Sequence, residues 1–253
     1  MQTWWEHFRA AAHRLYAKSP GIEAVPLALV FTIAAGVWVF IEIADEVIEG
    51  ESRAFDEWLM LSLRSPGDNA NPLGPAWLEE TARDVTAMGS TFALVFISLV
   101  VFFWLVMTKR PHAALLLSIA LIGGALLNNA LKFLFDRPRP DLVAHGTEVF
   151  TLSFPSSHAM LSATIYLTLG VMVMRYSSAL RLKVYAMSVA VLLAVMVGVS
   201  RVYLGVHWPT DVIAGWAVGA VWASACWLFI LWLQRRGQVE KSPVTPLEPA
   251  PDS

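Results

Sequence analysis

HAALLLSIALIGGALLNNALKF, residues 112–133, carries one ionisable residue near each end and none between. A helix needs roughly 20 apolar residues to cross a hydrocarbon core of about 30 Å, and this run has that length. Its last turn holds Lys132, and FDRPRP at Phe135–Pro140 follows at once. A membrane-crossing stretch therefore delivers a lysine and then Arg139-Pro140 to one surface. Five further apolar runs flank it, at about Val25–Ala44, Val85–Met107, His158–Met174, Val184–Val202 and Asp211–Leu233. The run at His158–Met174 is the shortest and contains Ser162, Thr164 and Thr168. It is expected inside the bundle, where hydroxyls find partners on helices. Charged residues make up 15% of the chain and hydrophobic ones 57%, whereas soluble domains carry about 25% charged residues. The expected fold class is all-α: a polytopic membrane protein with six transmembrane helices over residues 25–233.

Lysine and arginine placement sets the orientation, because loops rich in these residues stay cytoplasmic. Arg9, Arg14 and Lys18 precede the first span, and Lys109 and Arg110 separate the second from the third. Arg175, Arg181 and Lys183 separate the fourth from the fifth, and Arg235 and Arg236 follow the sixth. These are alternate connections, so both termini are expected in the cytoplasm. The first run lies behind a long amphipathic stretch and lacks a clear small-residue cleavage site, so it is read as a retained span. Residues 1–24 are expected to form a cytoplasmic amphipathic segment, and residues 234–253, with four prolines, a disordered cytoplasmic tail. Between the first two spans, Ser52–Arg64 sets Phe55, Leu59 and Leu63 on one stripe beside Trp58, the pattern of an interfacial helix. It acts either as a lid or lipid entrance, or as a seal on the bundle. A net charge of -2 gives no basic excess for nucleic acid. Cys226 stands alone in an apolar run and reads as a small filler.

Three polar groups fall on the face opposite the cytoplasmic loops: Lys132 with Arg139-Pro140, Pro155-Ser156-Ser157-His158, and Ser200-Arg201 with His207 and Asp211. Each has an ordinary reading. Lysine at a helix end snorkels, serine before a helix caps it, and His207 with Asp211 can be a pair four residues apart on a helix. Their combination is chemically specific. Transferring phosphoryl oxygens need preorganised donors. Lys132, Arg139 and Arg201 supply cations, with arginine offering a planar fork. Ser156 adds a hydroxyl, and the backbone amides around Ser157 and His158 open a helix, where free N–H groups favour an anion. A neutral imidazole can then attack phosphorus while a protonated one releases the alcohol. Asp211 suits His207 as orienting carboxylate, which assigns His207 as nucleophile and His158 as acid. No sequence pattern points to a metal site. Asp136 and Arg137 are placed to pair with each other, His145 reads as loop, and Asn128 and Asn129 as helix-to-helix hydrogen bonders. Glu42 either snorkels or faces the cluster.

These segments resemble the type-2 phosphatidic-acid-phosphatase superfamily of integral membrane lipid phosphatases and soluble haloperoxidase relatives. Lys132–Pro140 matches its lysine, six intervening residues and Arg-Pro. Pro155–His158 matches its Pro-Ser-Gly-His except at Ser157. Ser200, Arg201, His207 and Asp211 match its third pattern. The resemblance covers about residues 25–233. It implies a phosphohistidine on His207, a leaving-group proton from His158, and orientation of His207 by Asp211. It also implies phosphate contacts from Lys132, Arg139, Ser156, the Ser157 amide and Arg201, without metal or other cofactor. Ser157 stands where glycine is usual: it is strained if the backbone there needs φ > 0, and harmless if it opens a helix. The substrate implied is an amphiphilic lipid phosphate in the bilayer: polyprenyl diphosphate first, or phosphatidate or phosphatidylglycerophosphate. The site is expected on the periplasmic or extracellular side of a plasma membrane, the inner membrane in bacteria. Two rivals stand beside hydrolysis: a phosphotransferase with the same intermediate, and a lipid-phosphate-binding or transport protein without turnover.

Overall fold

The computed structural model describes residues 24–147, 151–177 and 179–236. The expectations for residues 1–23 and for the tail beyond Arg236 lie outside the described residues. In chain order the elements are α1 (Ala24–Glu49), α2 (Arg53–Ser62), β1 (Arg64–Ser65), β2 (Asp68–Pro72) and α3 (Ala76–Ala87). They continue with α4 (Thr91–Met107), α5 (Pro111–Phe135), α6 (Ser157–Tyr176), α7 (Leu180–Tyr203) and α8 (Pro209–Arg235). Helix α8 therefore runs into the stretch expected to begin the tail.

The described residues are all-α apart from one short antiparallel pair, β1 with β2. Helices α1, α5, α6, α7 and α8 are each long and apolar enough to cross a bilayer. The sixth span is built differently from the expected continuous run at Val85–Met107. Helix α3 ends at Ala87, α4 starts at Thr91, and the pair bends by 48°. The 17 residues of α4 rise only about 25 Å, and α4 is long and apolar enough for a span only when taken together with α3. Ser90 starts α4 as its N-cap, its Oγ accepting from the Ala93 amide at 3.2 Å.

Local signals set the ends that matter for the site. Pro111 opens α5, where its missing N–H is harmless. Asp136 closes α5 in the left-handed region at φ 45°, with its amide returned to the Lys132 carbonyl at 3.1 Å. Ser156 caps α6, and Pro209 opens α8.

Helix α6 is the central staff: 61% of its spanning window is buried, against 6% for α1. It packs mainly on α7 and α8. Ser162, Thr164 and Thr168 are buried, as expected of an interior span. Only Thr164 reaches across, to the Gly219 carbonyl at 3.4 Å, while Ser162 and Thr168 bond back to their own helix. Gly215 and Gly219 of α8 allow the tight approach. A Cβ at Gly219 would lie 2.4 Å from the Met160 carbonyl oxygen, and one at Gly215 would lie 2.8 Å from that of Ser156. Small residues four apart are what brings two membrane helices together. Leu94, Leu117, Ile165, Val197 and Cys226 belong to the main apolar core among these helices.

The segment after α1 holds, besides the expected helix, a short strand pair and α3. On α2, Phe55 and Trp58 are exposed, while Asp56 and Met60 are fully buried. Of the expected stripe, Phe55 with neighbouring Trp58 faces outward, whereas Leu59 and Leu63 are half-buried and Leu63 packs against Ala159, Val202 and Val212. At a bilayer surface an apolar face seeks lipid, which leaves the opposite face to pack on the protein. Glu42 is exposed on α1.

Candidate active site

The start of α8 organises the polar centre. Asp211 sits one turn into the helix, and its Oδ2 accepts the Trp208 backbone N–H at 2.9 Å, a side-chain cap on the helix start. His207 lies just before this turn, so its Nδ1 faces the same oxygen at 3.3 Å. Ser153 donates its hydroxyl to Asp211 Oδ2 and lies 3.4 Å from His207 Nδ1. The other carboxylate oxygen, Oδ1, accepts from Arg137 Nη1 at 2.7 Å. Gly205 makes the connection from α7 possible. Its φ is 74°, and a Cβ there would fall within 3.0 Å of Val143, Arg64 and the Ala144 carbonyl.

The second ring nitrogen of His207 meets a cation. Arg139 Nη1 is 3.2 Å from Nε2 and also donates to the Val206 carbonyl at 2.5 Å. Its Nε and Nη2 donate to Thr151 at 2.6 and 3.2 Å. A guanidinium donates only, so Nε2 is the acceptor and Nδ1 carries the proton toward Asp211. His207 is 1% exposed. Burial first, then the positive charges of Arg139, Arg201 and Lys132, hold its imidazole well below the ordinary histidine range. A neutral ring with its lone pair on Nε2 is the consistent state. Burial likewise pushes the Arg139 pKa down, offset in part by Asp211.

Lys132, on the last turn of α5, is buried and donates to the Leu152 carbonyl. Arg201, near the end of α7, is buried and donates from Nη1 to Thr86 Oγ1 at 3.0 Å. The α3–α4 bend supplies Thr86, and Gly89 in the same bend lets the chain pass. A Cβ there would lie 2.2 Å from Val197 Cγ1 and 3.4 Å from His158 Cδ2. Arg201 Nε is buried without a hydrogen-bond partner among the described residues. Ser156 is buried, caps α6 through the Ala159 amide at 3.5 Å, and sends its own amide to the Asp211 carbonyl at 3.0 Å. Ser157 is the first residue of α6 and does not have positive φ. Its hydroxyl donates to Asn128 Oδ1 at 2.6 Å. Of the two conformations open to serine here, the helical one is found. His158 lies on the same first turn, half-buried, within the electrostatic reach of Arg201, His207, Arg139 and Lys132.

All eight residues singled out from the sequence thus converge at one end of the bundle. A cavity of about 420 Å³ opens beside them, lined by Asn129, Lys132, Phe133, Pro138, Arg139, Thr151 and Leu152. Asn129 and Phe133 are exposed on α5, so this cavity borders the helix's outward surface. Asn128 bonds between helices as expected, to Ser157 and to Met160 Sδ. Arg137 does not pair with Asp136. Its partners are Asp56 at 2.8 Å and Asp211 at 2.7 Å. His145 is exposed and its Nε2 lies 2.7 Å from the Pro140 carbonyl. Sequence reasoning missed Ser153, Thr210 and Asp56. No local signal marks Asp56, since an acidic residue away from the apolar stripe is the ordinary pattern of an interfacial helix. Among the described residues no group of three or more His, Cys, Asp or Glu side chains is arranged to hold a metal ion.

A family model described as the PAP2 superfamily matches residues 111–235, which includes all eight. Phosphatidylglycerophosphatase B of Bacillus subtilis is 32% identical over 144 residues, 56% of this chain and 70% of that protein. An undecaprenyl-diphosphatase of Sulfolobus acidocaldarius is 30% identical over 125 residues, 47% of this chain and 56% of its own length. The crystal structure of a transmembrane PAP2-type phosphatidylglycerolphosphate phosphatase from Bacillus subtilis superposes with a TM-score of 0.69 at 25% identity, covering 81% of this chain and 98% of that one. With its spans, its motifs and these relatives in agreement, the chain belongs to the PAP2 superfamily.

Proposed function

We propose that this membrane protein is a phosphatase of lipid phosphates, working through a phosphohistidine on His207 at the outer membrane face. The observation that carries the reading is the pair of contacts on one imidazole. A cation lies 3.2 Å from Nε2 and a carboxylate 3.3 Å from Nδ1. A nucleophile aimed at an anion needs both, one to hold the phosphoryl group and one to stabilise the imidazolium that forms.

In the first step Nε2 of His207 attacks phosphorus and the bond to the leaving oxygen breaks, with His158 giving that oxygen its proton. In the second, water attacks the phosphohistidine, the P–N bond breaks, and His158 takes the water's proton. Lys132, Arg139, Arg201, Ser156 and the Ser157 amide hold the phosphoryl oxygens. Support for Arg201 comes from its unpartnered Nε. A buried donor left unpaired costs about 1–3 kcal/mol, and a bound phosphoryl oxygen would relieve it. The substrate class is an amphiphile with a terminal phosphoryl group, such as a phosphatidylglycerophosphate or a polyprenyl diphosphate, the groups for which the relatives are named. A phosphate at headgroup depth suits a cavity that borders the outward surface of α5.

Orientation follows from the loops at the other end. Lys109 and Arg110 join α4 to α5, and Arg181 and Lys183 open α7, so that end faces the cytoplasm and His207 faces away from it. The test is phosphate release from a panel of lipid phosphates in detergent, with a chelator present, for the wild type and His207→Ala. Activity is expected to survive the chelator and to fall by about 10³-fold or more in the variant, because nucleophile and partners act as a unit. Equal turnover by the variant would remove His207 from the chemistry.

A further inference from the structure

Asp56 is the one carboxylate on α2 with no exposure to solvent. Helix α2 exposes Phe55 and Trp58, and a helix that only seals a bundle has no need to bury a charge. A buried carboxylate is tolerated when it is paired and fully hydrogen-bonded, and Asp56 meets both conditions. Its Oδ2 accepts from Arg137 Nη2 at 2.8 Å and from Thr210 Oγ1 at 2.7 Å. Its Oδ1 accepts the Thr210 backbone N–H at 2.9 Å. Thr210 is the second residue of α8, whose amide has no partner within the helix. Asp56 therefore caps α8 from a separate element, where the helix dipole favours a negative charge.

Arg137 links this cap to the catalytic carboxylate. Nη2 serves Asp56 and also Ser52 Oγ at 3.3 Å, while Nη1 serves Asp211 Oδ1 at 2.7 Å and Thr210 Oγ1 at 2.9 Å. The guanidinium lies 5.6 Å from the Trp208 ring centroid, and the Trp208 indole N–H donates to the Pro138 carbonyl at 3.1 Å. With Oδ1 of Asp211 held by Arg137, Oδ2 is left to Trp208, Ser153 and His207.

We infer that Asp56 and Arg137 are positioning residues for catalysis: through the Asp56–Arg137–Asp211 chain, α2 fixes the carboxylate that orients His207. The inference rests on the reading of Asp211 as the orienting group. Without Asp56, Arg137 has one carboxylate instead of two and the start of α8 loses one of its two side-chain caps, so Asp211 no longer presents Oδ2 squarely to Nδ1.

The test is a double-variant cycle of Asp56→Asn and Asp211→Asn in the full chain, reading kcat and KM for phosphate release, with thermal melting in detergent as a check on folding. Asp56→Asn is expected to lower kcat about 10- to 100-fold, the scale of an ångström-sized misplacement, while KM stays within about threefold. Combined with Asp211→Asn it is expected to add almost nothing, because both act on one group. Multiplying losses in the double variant, or a raised KM at unchanged kcat, would overturn the inference. If Asp56→Asn does not fold, Arg137→Lys takes its place in the cycle, since lysine keeps the charge but cannot fork between two carboxylates. Full kcat in Asp211→Asn would reject the orienting role itself. Impairment there alone, with Asp56→Asn unimpaired, would reject only the part assigned to α2.

Discussion

At the residue scale, His207 couples chemistry to stability. An unfolded chain protonates histidine near pH 6.5, whereas the folded one resists, because burial and three cations lower the pKa of its ring. Above pH 6.5 this residue carries no penalty. As pH falls below that value, the unfolded state takes up a proton that the folded state refuses, so stability is lost, by about 1.4 kcal/mol at pH 5.5 for a ring still neutral there. The melting temperature in detergent is expected to fall between pH 7.5 and 5.5, and to fall less in His207→Gln. An identical fall in both proteins would show that His207 is not held neutral. The eight residues that converge were legible because their chemistry is concentrated in three short motifs with fixed spacing. Ser153 and Arg137 were not, because their partner Asp211 is chosen by the path of the loop after α5. That path depends on contacts such as the Ser153 amide to the Arg137 carbonyl at 2.9 Å, which no local pattern announces.

Among the elements, the crossing of α6 and α8 sets the alignment of His158 and Ser156 against His207. Gly219→Ala would put a methyl 2.4 Å from the Met160 carbonyl, and a backbone atom has little room to yield. Overpacking of this kind costs about 1–3 kcal/mol. Here it also displaces the start of α6, so kcat is expected to drop about 100-fold along with the melting temperature. Gly170→Ala, whose Cβ would lie 3.0 Å from that of Ala190 on α7, is expected to reduce stability while sparing kcat. Loss of kcat in both, measured side by side, would mean that general softening and not the α6–α8 register explains the effect. Hydropathy found the helices among the described residues that are long and apolar enough to span, yet it missed the bend between α3 and α4, since an average over a window does not register a change of helix direction. Gly89-Ser90 was the signal there, and Gly215 with Gly219 was the signal for the close crossing. For α2 the apolar stripe was read as the face of an interfacial helix, and what went unread was the opposite face, which is buried. That buried face is the one with Asp56 and Met60.

For the molecule as a whole, the arrangement divides labour between two ends. One carries the short basic turns, with Lys109 and Arg110 between α4 and α5 and with Arg181 and Lys183 at the start of α7. The other gathers Lys132, Arg139, Ser156, His158, Arg201 and His207 from α5, α6, α7 and the segments joining them. No single helix holds these residues, so they meet only when α5, α6, α7 and the start of α8 are packed together. The most direct measurement uses sealed right-side-out vesicles given a short-chain lipid phosphate labelled with radioactive phosphorus from the outside, then quenched in alkali to preserve phosphohistidine. Label is expected on the wild-type protein, on the peptide containing His207, and not on His207→Gln. Phosphate release by the wild type with no labelled protein, or label that appears only after the vesicles are permeabilised, would contradict the account.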